Sequence, residues 1–186
     1  MMLRSFIAFI SVFVIVMPSL YASVALKLSN KELAQKADEI LIGTVKDISY
    51  IIDEKQKTPY TITTITVDKW IKGTSNEKEI KVRQIGGKFK DQQLFITGDA
   101  RLNQGERVLL FLTKGEEYRF LLALSQAKFS IVMDEKLKEE VVVRDMSSLG
   151  LARFNSEGKL EVENPQPEKP IRLKDFIKEI ESYIKQ

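Results

Sequence analysis

The chain has 186 residues, 44% hydrophobic and 30% charged, with 29 basic against 26 acidic side chains for a net charge of +3, and it has no cysteine and no histidine. That length supports one domain with a sizeable core. The two missing residue types exclude disulfides, thiol nucleophiles, Ser-His-Asp triads, iron–sulfur ligation and the usual zinc ligand sets.

Residues 1–22 read as a secretory signal peptide. Arg4 gives a basic start, Phe6 to Met17 is apolar apart from Ser11, Pro18 ends the run, and small residues follow at Ala22 and Ala25. Processing is expected between Ala22 and Ser23, with a cut after Ala25 as the alternative. An uncleaved anchor is the rival reading, but the run falls short of the roughly 20 apolar residues that span a bilayer. A lipid anchor built on cysteine is excluded. These observations describe an exported protein, periplasmic or extracellular, with no stable membrane span after processing. Removing the leader takes away only Arg4 from the charge balance. The remaining charges are interspersed, which describes a solvated surface and not a face for polyanions.

Ser29 and Glu32 fit a capping box, and Leu33, Ala34, Ala37 and Leu41 follow at helical spacing, so a short helix is predicted from Asn30 to about Glu39. Ile40 to Ile51 is a β-prone run in which Gly43 marks a bulge or bend. Residues 53–59 form a turn ending at Pro59. Tyr60 to Ile71 is a second strand whose apolar phase moves from Tyr60 and Ile62 to Ile65, Val67 and Ile71, the signature of a bent strand. After a turn at residues 72–76, Ile80, Val82 and Gln84 alternate along a third strand that Gly86-Gly87 closes.

A long polar connection then runs from Gly86 to Gln104, past Leu94-Phe95-Ile96 and Gly98. Val108 to Leu112 is a continuous apolar run, read as a strand buried on both faces, and Tyr118 to Leu124 is its hairpin partner. Phe129–Met133 and Val141–Val143 are shorter strands, and residues 156–159 form a turn beside Leu160 and Val162. Three prolines make residues 164–170 a linker. Leu173, Phe176, Ile177, Ile180 and Ile184 then define an amphipathic helix over 171–186, docked on the sheet. The sum is a mainly β chain: a small OB-like β-barrel over residues 23–163, a short N-terminal helix and a C-terminal amphipathic helix.

Ser125-Gln126-Ala127-Lys128 formally matches S-x-x-K, but it joins two strands and has no companion elements, so it reads as a polar connection with a solvated lysine. The pairs Asp38-Glu39, Glu116-Glu117, Asp134-Glu135 and Glu139-Glu140 read as surface charge. Gly86-Gly87 reads as a turn needing positive φ, because no phosphate-binding helix follows. Phe89 between Lys88 and Lys90 is too little for a nucleic-acid groove, and Trp70 reads as a half-buried strand aromatic. No catalytic residue, metal ligand set, cofactor or nucleic-acid partner is expected.

The segments LSNKELAQKADEILIGTVKDI, YTITTITVDKWIKG, IKVRQIGG and NQGERVLLFL together resemble a group of uncharacterised exported bacterial proteins. Their layout, over residues 28 to about 132, is similar to the OB barrel of netrin-like domains and tissue inhibitors of metalloproteinases. The resemblance implies a barrel. It carries over no inhibitory residue, since the zinc-chelating amino-terminal cysteine and the disulfides of those inhibitors are missing. The functional expectation is an exported, non-enzymatic binding protein for a protein or envelope ligand, with Gly86, Gly87, Lys88, Phe89 and Gly98 in its candidate binding loop. Inhibition of a secreted hydrolase is the alternative, and a Ser/Lys or carboxylate hydrolase a third.

Overall fold

The computed structural model describes residues 23–90 and 92–185. The expected signal peptide and Ala22 lie outside the described residues, and Ser23 lies within them. In chain order the elements are β1 (Val24–Leu26), α1 (Asn30–Lys36), β2 (Glu39–Asp53), β3 (Thr58–Lys72), β4 (Glu79–Ile85), β5 (Gly87–Phe89), β6 (Gln92–Leu94) and β7 (Arg107–Lys114). They continue with β8 (Arg119–Ser125), β9 (Lys128–Asp134), β10 (Glu139–Val143), β11 (Gly150–Phe154), β12 (Leu160–Glu163), β13 (Ile171–Arg172) and α2 (Leu173–Ile184).

Five strands close into a ring in the order β2–β3–β4–β8–β7 and back to β2. All neighbours are antiparallel except β4 and β8, which meet in parallel with Val82 opposite Arg119. The chain is therefore mainly β, with a small barrel at its centre. On the edge of β7 that Leu112–Lys114 share with β8, the earlier residues Val108–Leu110 pair with β9, and the sheet continues from there through β10 and β13.

The alternation of side chains explains why β2 and β7 read as continuous apolar runs. Leu41, Val45, Val108, Leu110 and Leu112 fill the ring with Ile65, Ile80 and Val82. Ile40, Ile42, Leu109 and Phe111 point the other way, into a layer made with Leu33 of α1, Phe129 of β9 and Phe176 and Ile180 of α2. Each of these two strands is thus buried on both faces. The ring of Phe129 lies 4.7 Å from that of Phe176. The C-terminal helix is docked, as its apolar stripe predicts, but it begins at Leu173 and not at residue 171, because Ile171 and Arg172 pair with β10 as β13. The linker before it is tied down as well, since Arg144 donates to Glu168 and to the Gln126 carbonyl.

Three expectations need correction. The first helix ends at Lys36, because the C-cap Ala37 is already extended and Glu39 opens β2. Pro59 lies inside β3, near its start, where the missing N–H interrupts little of the ladder. The segment from Gly86 to Gln104 contains a small hairpin, β5–β6, and is not one irregular connection. The strands β1 and β11 had no sequence signal of their own.

The bend in β2 is where the glycine was expected to matter. Register shifts flank Gly43, and a Cβ there would stand 2.5 Å from the Thr66 carbonyl oxygen and 2.6 Å from Ile65 Cγ2. Gly158 has φ of +75° but nothing within 4 Å of its added Cβ. Gly43→Ala should therefore cost about 1–3 kcal/mol by overpacking. Gly158→Ala should cost about 1 kcal/mol from backbone strain alone. Denaturant midpoints at unchanged slope measure both.

Candidate functional site

The interior of the ring changes character along its axis. Deep inside it is apolar. Toward the β2–β3 hairpin end, Ile48 stands opposite Thr63, and Tyr50 opposite Thr61, which in turn faces Gln84 of β4. These side chains open into a cavity of about 450 Å³ at the mouth of the barrel, roofed by residues 93–104. That volume is the size of pocket that holds a small ligand or a few side chains of a partner.

The roof is held in place by its backbone. The Gly86 N–H donates to the Pro59 carbonyl at 2.8 Å, and Thr61 Oγ1 donates to the Gly86 carbonyl at 2.9 Å. Gly86 takes φ of +102°, and a Cβ there would sit 2.6 Å from the Leu94 carbonyl oxygen. Farther along, the Ser125 N–H donates to the Gly98 carbonyl at 3.1 Å, and Gln84 Nε2 donates to the Ala100 carbonyl at 2.9 Å. Gly98 packs against Leu149, where a Cβ would meet Cδ1 at 2.6 Å.

Two polar groups at this cavity are unusual. Thr63 is 0% exposed, and its hydroxyl has no hydrogen-bond partner among the described residues. A buried hydroxyl without a partner costs about 1–3 kcal/mol. Asp99 accepts from the Ala100 N–H at 2.8 Å. Burial pushes its carboxyl above the usual value, although Gln84 and the Ala100 N–H pull the other way. Around the opening Ile85, Leu94 and Phe95 are exposed, and Arg101 lies 5.3 Å over the Phe95 ring.

Gly86, Gly87 and Gly98, expected in the binding loop, all line the cavity. Lys88 and Phe89 do not. They sit on β5, outside the lining, with Phe89 exposed and the Lys90 ammonium 5.2 Å from its ring. Sequence reasoning missed Tyr50, Thr61, Thr63, Asp99 and Arg101, and took Gln84 only as a strand residue. The phase change in Tyr60–Ile71 carried the signal, because it turns threonines inward near the mouth.

The S-x-x-K segment runs from the last residue of β8, Ser125, through the two-residue turn Gln126-Ala127 to the first residue of β9, Lys128. Ser125 Oγ is buried without a partner among the described residues, and Lys128 Nζ instead contacts Glu106 and, at 2.8 Å, Ser130 Oγ. The lysine is mostly buried and ion-paired, contrary to the expected solvated side chain. Burial raises the Glu106 carboxyl, but Lys128, Ser130 and the Asn103 N–H together hold it below its usual value. Glu39 also departs from the surface-charge reading: it is 2% exposed and pairs with Arg119 at 2.9 Å. Trp70 is half-buried against the barrel core, as expected. Among the described residues, no group of three or more acidic side chains is placed to hold a metal ion, and no helix is long and apolar enough to cross a membrane.

No family model matches this chain, and no curated protein matches it.

The two unusual groups give separate tests, one independent of pH and one dependent on it. Thr63→Val removes an unpartnered hydroxyl at constant shape and should leave stability unchanged or raise it, by up to about 2 kcal/mol. Because the folded Asp99 carboxyl titrates above its usual 3.8, its ionisation opposes folding. That penalty is absent below the ordinary value and complete once pH exceeds the raised one. Asp99→Asn should therefore raise the melting temperature at neutral pH, and the gain should fade on acidification. Thermal unfolding across pH checks both.

Proposed function

We propose that the chain is an exported, non-enzymatic binding protein whose barrel mouth, with the apolar rim around it, receives a segment of a partner protein or envelope ligand. One observation carries this reading. A cavity of ligand size places an unpartnered, fully buried Thr63 hydroxyl and the half-buried Asp99 carboxyl at the end of a closed apolar core, with Ile85, Leu94 and Phe95 exposed at its edge. The half-buried Asp99 carboxyl is placed to orient a bound segment, while exposed apolar and aromatic side chains supply contact area.

The order of strands supports an OB-type barrel. The β2–β3–β4 meander is followed by β7 returning beside β2, a Greek-key arrangement, and β8 closes the five-stranded ring.

Export rests on the composition of the leader, and the first strand supports the position of the cut. The Ser23 carbonyl accepts from the Gly150 N–H at 3.0 Å, and Val24, Ala25 and Leu26 pair with Gly150, Leu151 and Ala152. The buried Gln126 amide then holds the next turn of chain, donating to the Leu26 carbonyl and accepting from the Leu28 N–H. A cut after Ala22 leaves β1 whole, and a cut after Ala25 removes most of it.

Two measurements test the proposal. Mass spectrometry of the exported protein should give Ser23 as the first residue; an amino terminus at Leu26, or a retained leader, contradicts it. A photocrosslinking residue at Phe95 should capture one discrete species in cells, and the same residue at Lys136, on a distant turn, should not. Equal adducts from both positions, or none from Phe95, would remove the cavity from the binding reading.

A further inference from the structure

The strands β1, β11 and β12 form a three-stranded sheet outside the barrel. Leu26 stands beside Ala152, Ala152 beside Val162, and Phe154 beside Leu160, while Val24 stands beside Gly150. Residues opposite one another in a ladder point to the same face. Val24, Leu26, Phe154, Leu160 and Val162 therefore share one face, and they are 50%, 54%, 65%, 50% and 52% exposed.

The opposite face is occupied. Ala25 and Leu151 pack onto Leu149 and Met146. Lys27 pairs with Glu163 at 2.7 Å, and Arg153 lies 3.8 Å from Glu161 and 3.6 Å from Glu163. A sheet with one open face ordinarily turns its charges to water and its apolar residues inward. Here the charges pair with one another on the side of Ala25 and Leu151, where they remain partly exposed, and the other side carries only apolar side chains.

We infer that two copies of this chain associate through this face, sheet on sheet, about a two-fold axis. Charge selects this occupant over others. The charged residues of these strands, Arg153, Glu161 and Glu163, and the adjoining Lys27 pair on the far face, so the strands themselves present no Lys/Arg cluster here for anionic headgroups. Area agrees. Five side chains at about half exposure present roughly 400–500 Å² of apolar surface, the size of the largest patch on a typical monomer and one that is often functional. A standard interface buries about 800 Å² per partner, of which somewhat more than half is apolar. One patch thus supplies the apolar share of one side, and a second copy supplies the matching side by symmetry. Aligned sheets pack in this manner in β-sandwiches.

Light scattering and sedimentation of the exported, processed protein test the inference. The expected result is a doubled mass at micromolar concentration, with Phe154→Lys and Leu26→Lys monomeric and unchanged in circular dichroism. Because the chain has no cysteine, Phe154→Cys introduces a single thiol. Under oxidation it should give a covalent dimer, and Lys136→Cys should not. This readout stands even if the charged variants misfold. Phe95→Ser, at the barrel mouth, should remain dimeric, so failure of the binding-site reading is separable from failure of this one. A monomeric parent overturns the inference, as does a dimeric Phe154→Lys. A monomer that binds phosphatidylcholine vesicles through this patch would assign the face to lipid and would overturn it equally.

Discussion

The barrel depends on Arg119. Its backbone lies at the point where β8 pairs with Lys114 of β7 on one side and Val82 of β4 on the other, so the ring closes there. Its guanidinium reaches Glu39, the first residue of β2, at 2.9 Å, and also binds Glu77 just before β4. One side chain thereby joins segments of three strands at one end of the barrel. The hydrogen bond to Glu39 leads in holding the guanidinium protonated, and the bond from Arg119 leads in keeping Glu77 ionised. Desolvating such a pair is expensive, and replacing both partners by apolar groups is often neutral. Its role here is to determine which strands meet.

Closure at that end gives the other end its chemistry. With Leu110, Leu112, Ile65 and Val82 filling the closed half, the interior needs no further apolar filling near the β2–β3 hairpin. Thr63 and Gln84 can face inward there, with the 93–104 segment laid across them. The layer formed by α1 and α2 buries the outer faces of β2 and β7 and so keeps both strands rigid beneath the cavity. Stability is held at one end and in that layer, while the less compensated polar groups collect at the mouth. That division suits the binding role proposed for the mouth, since a site is held best on a rigid scaffold.

Much of this architecture was legible because single residues carried unambiguous physics. Gly43 announced the bend in β2, Ser29 and Glu32 the start of α1, and the stripe from Leu173 to Ile184 the docked helix. Val108–Leu112 announced a strand buried twice over. The three-stranded sheet was not legible, because β1 pairs in parallel with β11, a partner some 125 residues away, and short strands of Val, Ala and Leu carry no period of their own. The parallel contact of β4 with β8 was hidden for the same reason. Of the candidate site, the glycines of the loop were visible, since positive φ and close approach leave a mark in sequence. Asp99 and Thr63 were not, because their burial comes from strands distant in the chain. Glu39 and Lys128 were misread as surface charges, because their partners, Arg119 and Glu106, are distant in sequence.

A double-mutant cycle on Glu39 and Arg119, read by denaturant unfolding, tests this dependence most directly. With closure resting on the buried pair, Glu39→Gln and Arg119→Met should each lose about 3–5 kcal/mol, and the double variant should lose far less than their sum. Single losses below about 0.5 kcal/mol, the level of an ordinary surface substitution, or strict additivity would show that the ring closes without the pair.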